Sequence, residues 1–226
     1  MSKMKIKNNK ITFHSTRTDL EILQPVPSTK NVPSWYRKMP GVKDGVQTIK
    51  KCVPFLDSLS MGYHIPLPSD VYWNSEERAG LSNAKASMYS DHFAVQSDEV
   101  VLPPEFDPQP HKWSNYWHIK TPKGYSTLFI HPLNRLDLPF YSMSGVVDTD
   151  SHPLIINFPF FIRKDFEGII EAGTPMIQAI PFKRDKWYSE ILDQYGSYQG
   201  DYMSHEVMEA PFGWYKRKHW FRKEYR

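Results

Sequence analysis

Short apolar runs alternate with turn-forming residues from position 113 to position 185, and this rhythm predicts consecutive β-strands. The predicted strands cover residues 117–120, 125–131, 140–147, 154–162, 166–170 and 176–182. Pro, Gly and Asp mark the turns between them. Residues 154–162 are apolar on both faces, which is typical of a buried strand, and Pro159 indicates a bulge or an edge position.

The N-terminal half has a more broken pattern. Residues 6–13 and 20–23 alternate like strands, and four prolines between positions 25 and 40 then divide the chain into extended pieces. We expect one or two helical turns at residues 34–39, with Ser34 as the N-cap, and a short helical or irregular segment at 52–59. A strand, a break and a second strand are predicted over 62–73. Residues 75–100 show no clear pattern, and the prolines between 103 and 110 mark an exposed loop.

These patterns predict a single β-rich domain, residues 1–226, in which residues 1–112 wrap around a β core of residues 113–185. Residues 186–194 alternate like a short helix, and a basic aromatic tail follows at 214–226, so residues 186–226 are expected outside the core. An aromatic content of 15% and 19 prolines argue against a helical bundle. The predicted fold class is mostly β, an antiparallel barrel or sandwich of jelly-roll or β-clip type with a few short helices.

Charge is distributed unevenly along the chain. The net charge is +3, but the last thirteen residues have +5 and the first ten +4, which leaves −6 for the middle. This distribution argues against a general nucleic-acid-binding surface. We expect the tail to dock onto the protein itself, onto a second copy or onto another protein, rather than onto nucleic acid.

Cysteine content and hydropathy indicate the compartment. The single cysteine, Cys52, excludes an internal disulfide and a zinc ribbon. The first ten residues lack the apolar core of a signal peptide, and no run approaches the length of a membrane span. We therefore expect a soluble cytoplasmic protein without a membrane partner.

Polar residues gather at the corners of the predicted turns. We predict that Asn134, Arg135, Asp148, Asp150 and His152 form a pocket for a small polar ligand, nucleotide-like or sugar-like. In this hypothesis Arg135 holds an anionic group, Asp148 accepts a hydrogen bond from a hydroxyl or orients water, and a nearby Trp or Tyr stacks on the ligand. The alternative is that the two aspartates only shape a turn. No catalytic motif is complete, so the sequence assigns neither a reaction nor a cofactor.

Two other classes of protein stay open. Asp150 and His152 alternate so that both would lie on one face of a strand, as two of the three ligands of a non-haem iron site. With a distant histidine they would form a cupin-like, metal-dependent oxygenase, although isolated histidines are usually structural and we predict no metal site. The other class is a structural or host-interaction protein without catalysis.

One local segment resembles a known enzyme group. Gly-Val-Val-Asp at residues 145–148, followed by the Gly173 turn and a strand ending in Gln178, is similar in order and spacing to part of the dUTPase and dCTP-deaminase core. The resemblance implies a strand-turn-strand geometry in which Asp148 contacts a deoxyribose or activates water and Gln178 is the strand glutamine. The motif around Arg135 departs from that group, and a glycine-rich phosphate-closing tail is missing.

Strings along nearly the whole chain resemble a family of uncharacterised proteins of large tailed bacteriophages, mainly marine and cyanobacterial ones. These strings are VPSWYR at 32–37, CVPFLD at 52–57, KTPKGYS at 120–126, HPLNR at 131–135, GVVDTD at 145–150, NFPFF at 157–161 and FKRD at 182–185. The resemblance implies a phage origin, and hence the host cytoplasm or an association with the virion, with a phage or host protein as a partner of the tail. It implies no activity.

Overall fold

A computed structural model of the chain describes residues 9–17, 23–73, 102–108, 110–191 and 214–226. The strands are β1 Thr12–Ser15, β2 Val26–Pro27, β3 Val42–Lys43, β4 Val46–Gln47, β5 Tyr63–Pro66, β6 Val71–Trp73, β7 His111–Trp113, β8 Trp117–Lys120, β9 Tyr125–Ile130, β10 Phe140–Ser142, β11 Gly145–Val147, β12 Phe158–Ile162, β13 Gly168–Ile170 and β14 Pro175–Lys183. The α-helices are α1 Ser34–Lys38, α2 Val53–Ser60 and α3 Trp214–Lys218, and 3-10 helices cover Ser28–Asn31 and Ile49–Lys51. The predictions for residues 20–22 and 75–100, and parts of those for 6–13 and 186–194, lie outside the described residues.

All of these strands pair in antiparallel fashion, which confirms the mostly β fold. The largest sheet has the order β11-β9-β14-β5-β2, and a three-stranded sheet has the order β10-β12-β7. The pairs β1-β8, β13-β6 and β3-β4 form two-stranded sheets. No sheet closes into a barrel within the part of the chain described above. None of the described helices is long and apolar enough to cross a membrane.

The main core lies between the two larger sheets. Trp113 on β7 and Phe160 on β12 stack with their ring centroids 3.5 Å apart, and Phe140 on β10 packs edge-on against Trp113 at 5.0 Å. From the other sheet, the ring of Phe129 on β9 lies 5.2 Å from that of Phe158 on β12. The first two contacts lie within the three-stranded sheet, and the contact between Phe129 and Phe158 joins the two sheets.

The buried strand predicted around Phe158 is confirmed as β12, but it is the central strand of its sheet and not an edge strand. Pro159 is tolerated there because its carbonyl accepts from the N–H of Met143, so its missing N–H group faces the β10 side, beyond the last register pair of these two strands, Ser142 and Phe160. The pairing with Lys112 on the β7 side therefore loses no hydrogen bond.

A smaller core lies under α1 and α2. Tyr36 and Leu59 are buried there, with Trp35 and Phe55 packed against them. The Lys50 ammonium donates to the carbonyl of Tyr36 at 2.7 Å and lies 4.5 Å from the centre of its ring. The predicted helical turns at residues 34–39 are confirmed as α1, but Pro33 and not Ser34 occupies the N-cap position.

The helix predicted at residues 186–194 is absent from its described part. Residues 184–191 have no regular secondary structure, and Trp187, Tyr188 and Ile191 are almost fully exposed. Helices in proteins gain most of their stability from packing an apolar face. Since these side chains pack on nothing in the described structure, the alternating pattern of residues 186–194 did not produce a helix there.

Candidate functional site

The residues of the predicted ligand site lie in two groups at opposite ends of β9. Asn134 and Arg135 belong to the turn that follows β9. Asp148 accepts a hydrogen bond from Ser126, the second residue of β9, and Asp150 lies two residues further on. A strand of this length spans about 17 Å at the usual rise of ~3.3 Å per residue.

The separation follows from the pairing of β11 with β9. These strands are antiparallel, with Val147 opposite Thr127, so the chain runs back to the start of β9 before it reaches Asp148. The five predicted residues therefore do not line one pocket. Each end of β9 has to be considered separately.

At the start of β9, Arg184 joins Asp148, Asp150 and Ser126 in an arrangement that we name the Arg184 cluster. The Arg184 Nη1 group donates to Ser126 Oγ at 3.0 Å, to Asp148 Oδ1 at 3.2 Å and to Asp150 Oδ1 at 3.0 Å. The Ser126 hydroxyl donates to Asp148 Oδ1 at 2.6 Å. The backbone N–H of Gly124 donates to Asp150 Oδ2 at 2.8 Å. One guanidinium thus binds both carboxylates predicted for the site.

The two aspartates differ in environment. The side chain of Asp150 is only 7% exposed, whereas that of Asp148 is 63% exposed. Hydrogen bonds from Arg184 and from the Gly124 N–H hold the pKa of Asp150 well below its usual range. Asp150 is therefore a charged structural anchor, and Asp148 is the more accessible acceptor.

Asp148 also shapes the turn through its backbone. Its carbonyl accepts a hydrogen bond from the N–H of His152 at 2.9 Å. The next residue, Thr149, is buried and exchanges hydroxyl hydrogen bonds with Thr121 at 2.7 Å and with Thr127 at 2.8 Å. These contacts hold the turn against β9, which is the structural role that the alternative interpretation expected.

His152 forms hydrogen bonds to other described residues through its backbone. Its carbonyl oxygen accepts from Lys120 Nζ at 3.1 Å and lies 3.4 Å from His118 Nε2. In the part of the chain that the structure describes, no three His, Cys, Asp or Glu side chains are grouped so that they could hold a metal ion. The described residues therefore provide no set of metal-binding side chains for the oxygenase alternative.

Asp150→Asn is expected to lower the melting temperature more than Asp148→Asn. The Asp150 carboxylate is nearly buried and binds both Arg184 and a backbone N–H, whereas exposed ion pairs such as Arg184–Asp148 contribute little. Thermal unfolding followed by circular dichroism makes the comparison. Equal melting temperatures for the two variants would contradict the structural role given to Asp150.

At the other end of β9, Arg135 is paired and largely enclosed. Its Nε and Nη2 groups donate to the two oxygens of Asp137, each at 2.9 Å, and its side chain is 13% exposed. Burial alone would raise the pKa of Asp137, but the hydrogen bonds and charge of Arg135 outweigh it and lower this pKa. The Trp35 Nε1 group also donates to Asp137, at 3.4 Å. Because Asp137 neutralises Arg135, this arginine is not a free cation for a ligand.

Behind Arg135 lie three buried polar side chains. Gln178 on β14 binds the backbones of α2 and of the turn after β9, and His131 Nδ1 accepts from the N–H of Ser142 at 3.2 Å. His64 on β5 is buried, and its Nδ1 atom has no hydrogen-bond partner among the described residues. Burial, and then the charge of Arg135, lower the pKa of His64 to about 4. Gln178 binds the N–H of Leu133, and His131 lies 3.2 Å from the carbonyl of Arg135, so these two residues hold the turn in place.

An open groove lies beside the Arg135–Asp137 pair, and we name it the Trp35 groove. It has a volume of about 440 Å³ and is lined by Trp35, Lys38, Met39, Pro40, Lys43, Thr48 and Ile49. One wall is the β3–β4 hairpin, which turns at Asp44 and Gly45 with φ of 50° and 77°. Asp-Gly suits these left-handed conformations, so this pair is the sequence signal for a hairpin that the predicted elements did not include.

Trp35 and two lysines give this groove its chemistry. The indole of Trp35 is half-buried, with edge-on contacts to Tyr36 at 5.9 Å and Phe55 at 6.3 Å. Lys38 and Lys43 are exposed at the groove and make no ion pair with the described residues. The groove therefore presents an aromatic surface beside two positive charges.

The comparisons with known proteins give no family. Neither a protein-family model, nor a curated protein, nor a solved structure matches this chain. The resemblances to the phage family and to the dUTPase group stay predictions.

Proposed function

We propose that the protein binds a small anionic ligand with a planar ring, such as a nucleotide, in the Trp35 groove. The observation that supports this proposal is the combination of a half-buried tryptophan with two exposed lysines around one open groove. A nucleotide is one of the two ligand types expected from the sequence, while the residues that would contact it differ from those predicted.

Size and chemistry agree with this ligand class. Ligand sites typically enclose about 300–1,000 Å³, and the groove has about 440 Å³. A planar base would stack on Trp35, because aromatic faces bind bases with little dependence on their identity. Lys38 and Lys43 would then neutralise phosphate oxygens as point charges.

The Arg135–Asp137 pair takes a positioning role in this proposal. Asp137 accepts a hydrogen bond from the indole N–H of Trp35, and Arg135 holds Asp137 through three hydrogen bonds. An indole that is oriented before binding loses less entropy when the ligand arrives. Arg135 thus acts on the ligand through Trp35.

The fold that we propose around this groove is a sandwich of jelly-roll or β-clip type. The five-stranded and three-stranded sheets contribute to one hydrophobic core. A hydrogen bond from the Ser142 hydroxyl to the Met176 carbonyl, at 2.6 Å, also joins them. Two sheets that share one core are typical of sandwiches.

Titration with AMP, followed by calorimetry and by thermal shift, tests the proposed function. AMP at 100 times its Kd should stabilise the protein by about 2.7 kcal/mol. Uridine monophosphate should bind comparably. Adenosine should bind more weakly because it lacks the phosphate, and inorganic phosphate should bind more weakly because it lacks the planar base.

The double variant Lys38→Gln/Lys43→Gln is expected to weaken AMP binding by tenfold or more. The matched control is Lys123→Gln/Lys164→Gln, which removes the same charge from exposed positions outside the groove. Binding by this control should be unchanged. The proposal fails if AMP at millimolar concentration gives neither heat nor a thermal shift, or if the two double variants bind AMP equally.

A further inference from the structure

The C-terminal tail, residues 214–226, is docked on the body of its own chain. The indole N–H of Trp220 donates to both oxygens of Asp57 on α2, at 3.1 and 2.9 Å, and Lys223 forms an ion pair with the same carboxylate. The ring of Tyr225 lies 5.8 Å from that of Tyr63 on β5. Part of the tail therefore has an inward face with its own partners.

Most other side chains of the tail are exposed, and we name these exposed side chains the outward face. Phe221 is 82% exposed and Tyr215 is 43% exposed. Four cations of the tail are exposed and form no ion pair with any residue that the structure describes, namely Lys216, Arg217, Lys218 and Arg222. Phe221 directly follows Trp220, and it stays exposed while the Trp220 indole is bound to Asp57.

We propose that this outward face binds single-stranded nucleic acid. Proteins that bind single strands combine cations, which track the phosphates, with aromatic rings on which the bases stack. Both elements lie here within eight residues, from Tyr215 to Arg222. A duplex would engage the cations, but its bases are already stacked within the helix and would leave Phe221 without a partner.

Charge limits the site to the tail. The chain has a net charge of +3 and the tail +5, which leaves −2 for residues 1–213. A long polyanion would be repelled beyond the tail, so the expected site covers only a few nucleotides. This site shares none of its residues with the Trp35 groove, and a single strand that binds here requires no nucleotide there.

Fluorescence anisotropy of a labelled twelve-nucleotide oligothymidylate with the full chain is the primary test. Four phosphate contacts predict that the logarithm of the association constant falls with the logarithm of salt concentration at a slope of about −3. Low salt strengthens such contacts, so absence of binding at about 20 mM salt would overturn the proposal.

Two variants separate stacking from charge. Phe221→Ala should weaken binding about 5- to 100-fold through the loss of one stacked base, and Phe182→Ala, which removes an exposed phenylalanine outside the tail, should not. Replacing Lys216, Arg217, Lys218 and Arg222 with Gln should bring the slope of the logarithm of the association constant against the logarithm of salt concentration near zero. The charge-matched control replaces Lys30, Lys51, Lys123 and Lys164 with Gln and should keep the slope.

Competition identifies the kind of partner. Duplex DNA of the same length should compete poorly, and so should an oligoglutamate peptide of equal charge. If the duplex competes equally and Phe221→Ala has no effect, phosphate charge alone explains binding and the proposal is wrong. If oligoglutamate competes equally, the face suits an acidic protein and the proposal is again wrong.

Discussion

Gln178→Met is expected to lower the free energy of unfolding by about 3 kcal/mol or more. Gln178 is fully buried in β14, and its Oε1 atom accepts from the N–H of Leu133 at 2.8 Å. Its Nε2 group donates to the carbonyls of Ser58 at 3.1 Å and Met61 at 2.6 Å. Methionine has a similar volume but would leave these three backbone groups without a partner, at a cost of about 1–3 kcal/mol for each buried group.

Urea denaturation followed by circular dichroism measures this loss. Gln178→Glu should be at least as destabilising, because its carboxylate would still accept from the Leu133 N–H but would be a buried charge facing the carbonyls of Ser58 and Met61, to which it cannot donate. Gln47→Met, at a half-buried position in β4, serves as the control and should change stability by less than about 0.5 kcal/mol. A loss below about 1 kcal/mol for Gln178→Met would show that water or local shifts replace the lost hydrogen bonds.

Acidification from pH 7 to pH 4 is expected to remove about 3 kcal/mol of stability through His64. Its pKa is about 4 in the folded protein, against 6.5 for an ordinary histidine, because burial and then the charge of Arg135 oppose protonation. Between these two values the unfolded chain binds the proton and the folded protein does not. Stability therefore falls as the pH falls through this window, by about 1.4 kcal/mol per unit, and it is unaffected by His64 above pH 7.

The variant His64→Gln tests the assignment of this pH dependence. Glutamine does not titrate, so the slope of stability against pH between 6.5 and 4.5 should decrease by about 1.4 kcal/mol per unit, whatever the stability of the variant at pH 7. Burial also lowers the pKa of His131, which leaves a residual slope of the same sign. His14→Gln, at an exposed position, should keep the full slope. An unchanged slope in His64→Gln would assign the effect to other groups.

The sequence predicted strands well where one local pattern decides the structure. β8 and β12 fall within the predicted ranges, β9 differs from its predicted range by one residue at one end, and β14 differs by one residue at each end. Their apolar runs are bounded by prolines, glycines and aspartates, which define the ends independently of the tertiary fold. The helix predicted at 186–194 failed because its apolar residues pack on nothing that the structure describes.

The candidate site was less predictable because it depends on strand pairing. Arg184 meets Ser126 and Asp150 only after β14 has paired with β9 and β11 has returned along it. The sequence placed Arg135 and Asp148 near turns but could not show that these turns lie at opposite ends of one strand. Likewise Trp35 and Lys43 come together only through the β3–β4 hairpin, whose Asp-Gly signal lies in a segment that otherwise looked irregular.

Because β5 lies between β2 and β14, the C-terminal half of the chain depends on the N-terminal half to complete its largest sheet. A fragment beginning near residue 113 would lack the neighbour of β14 and would expose one side of the longest described strand, Pro175–Lys183. Such an unpaired edge recruits other chains. Truncation at the proline-rich loop should therefore yield insoluble aggregates, and co-expression of both fragments should restore solubility.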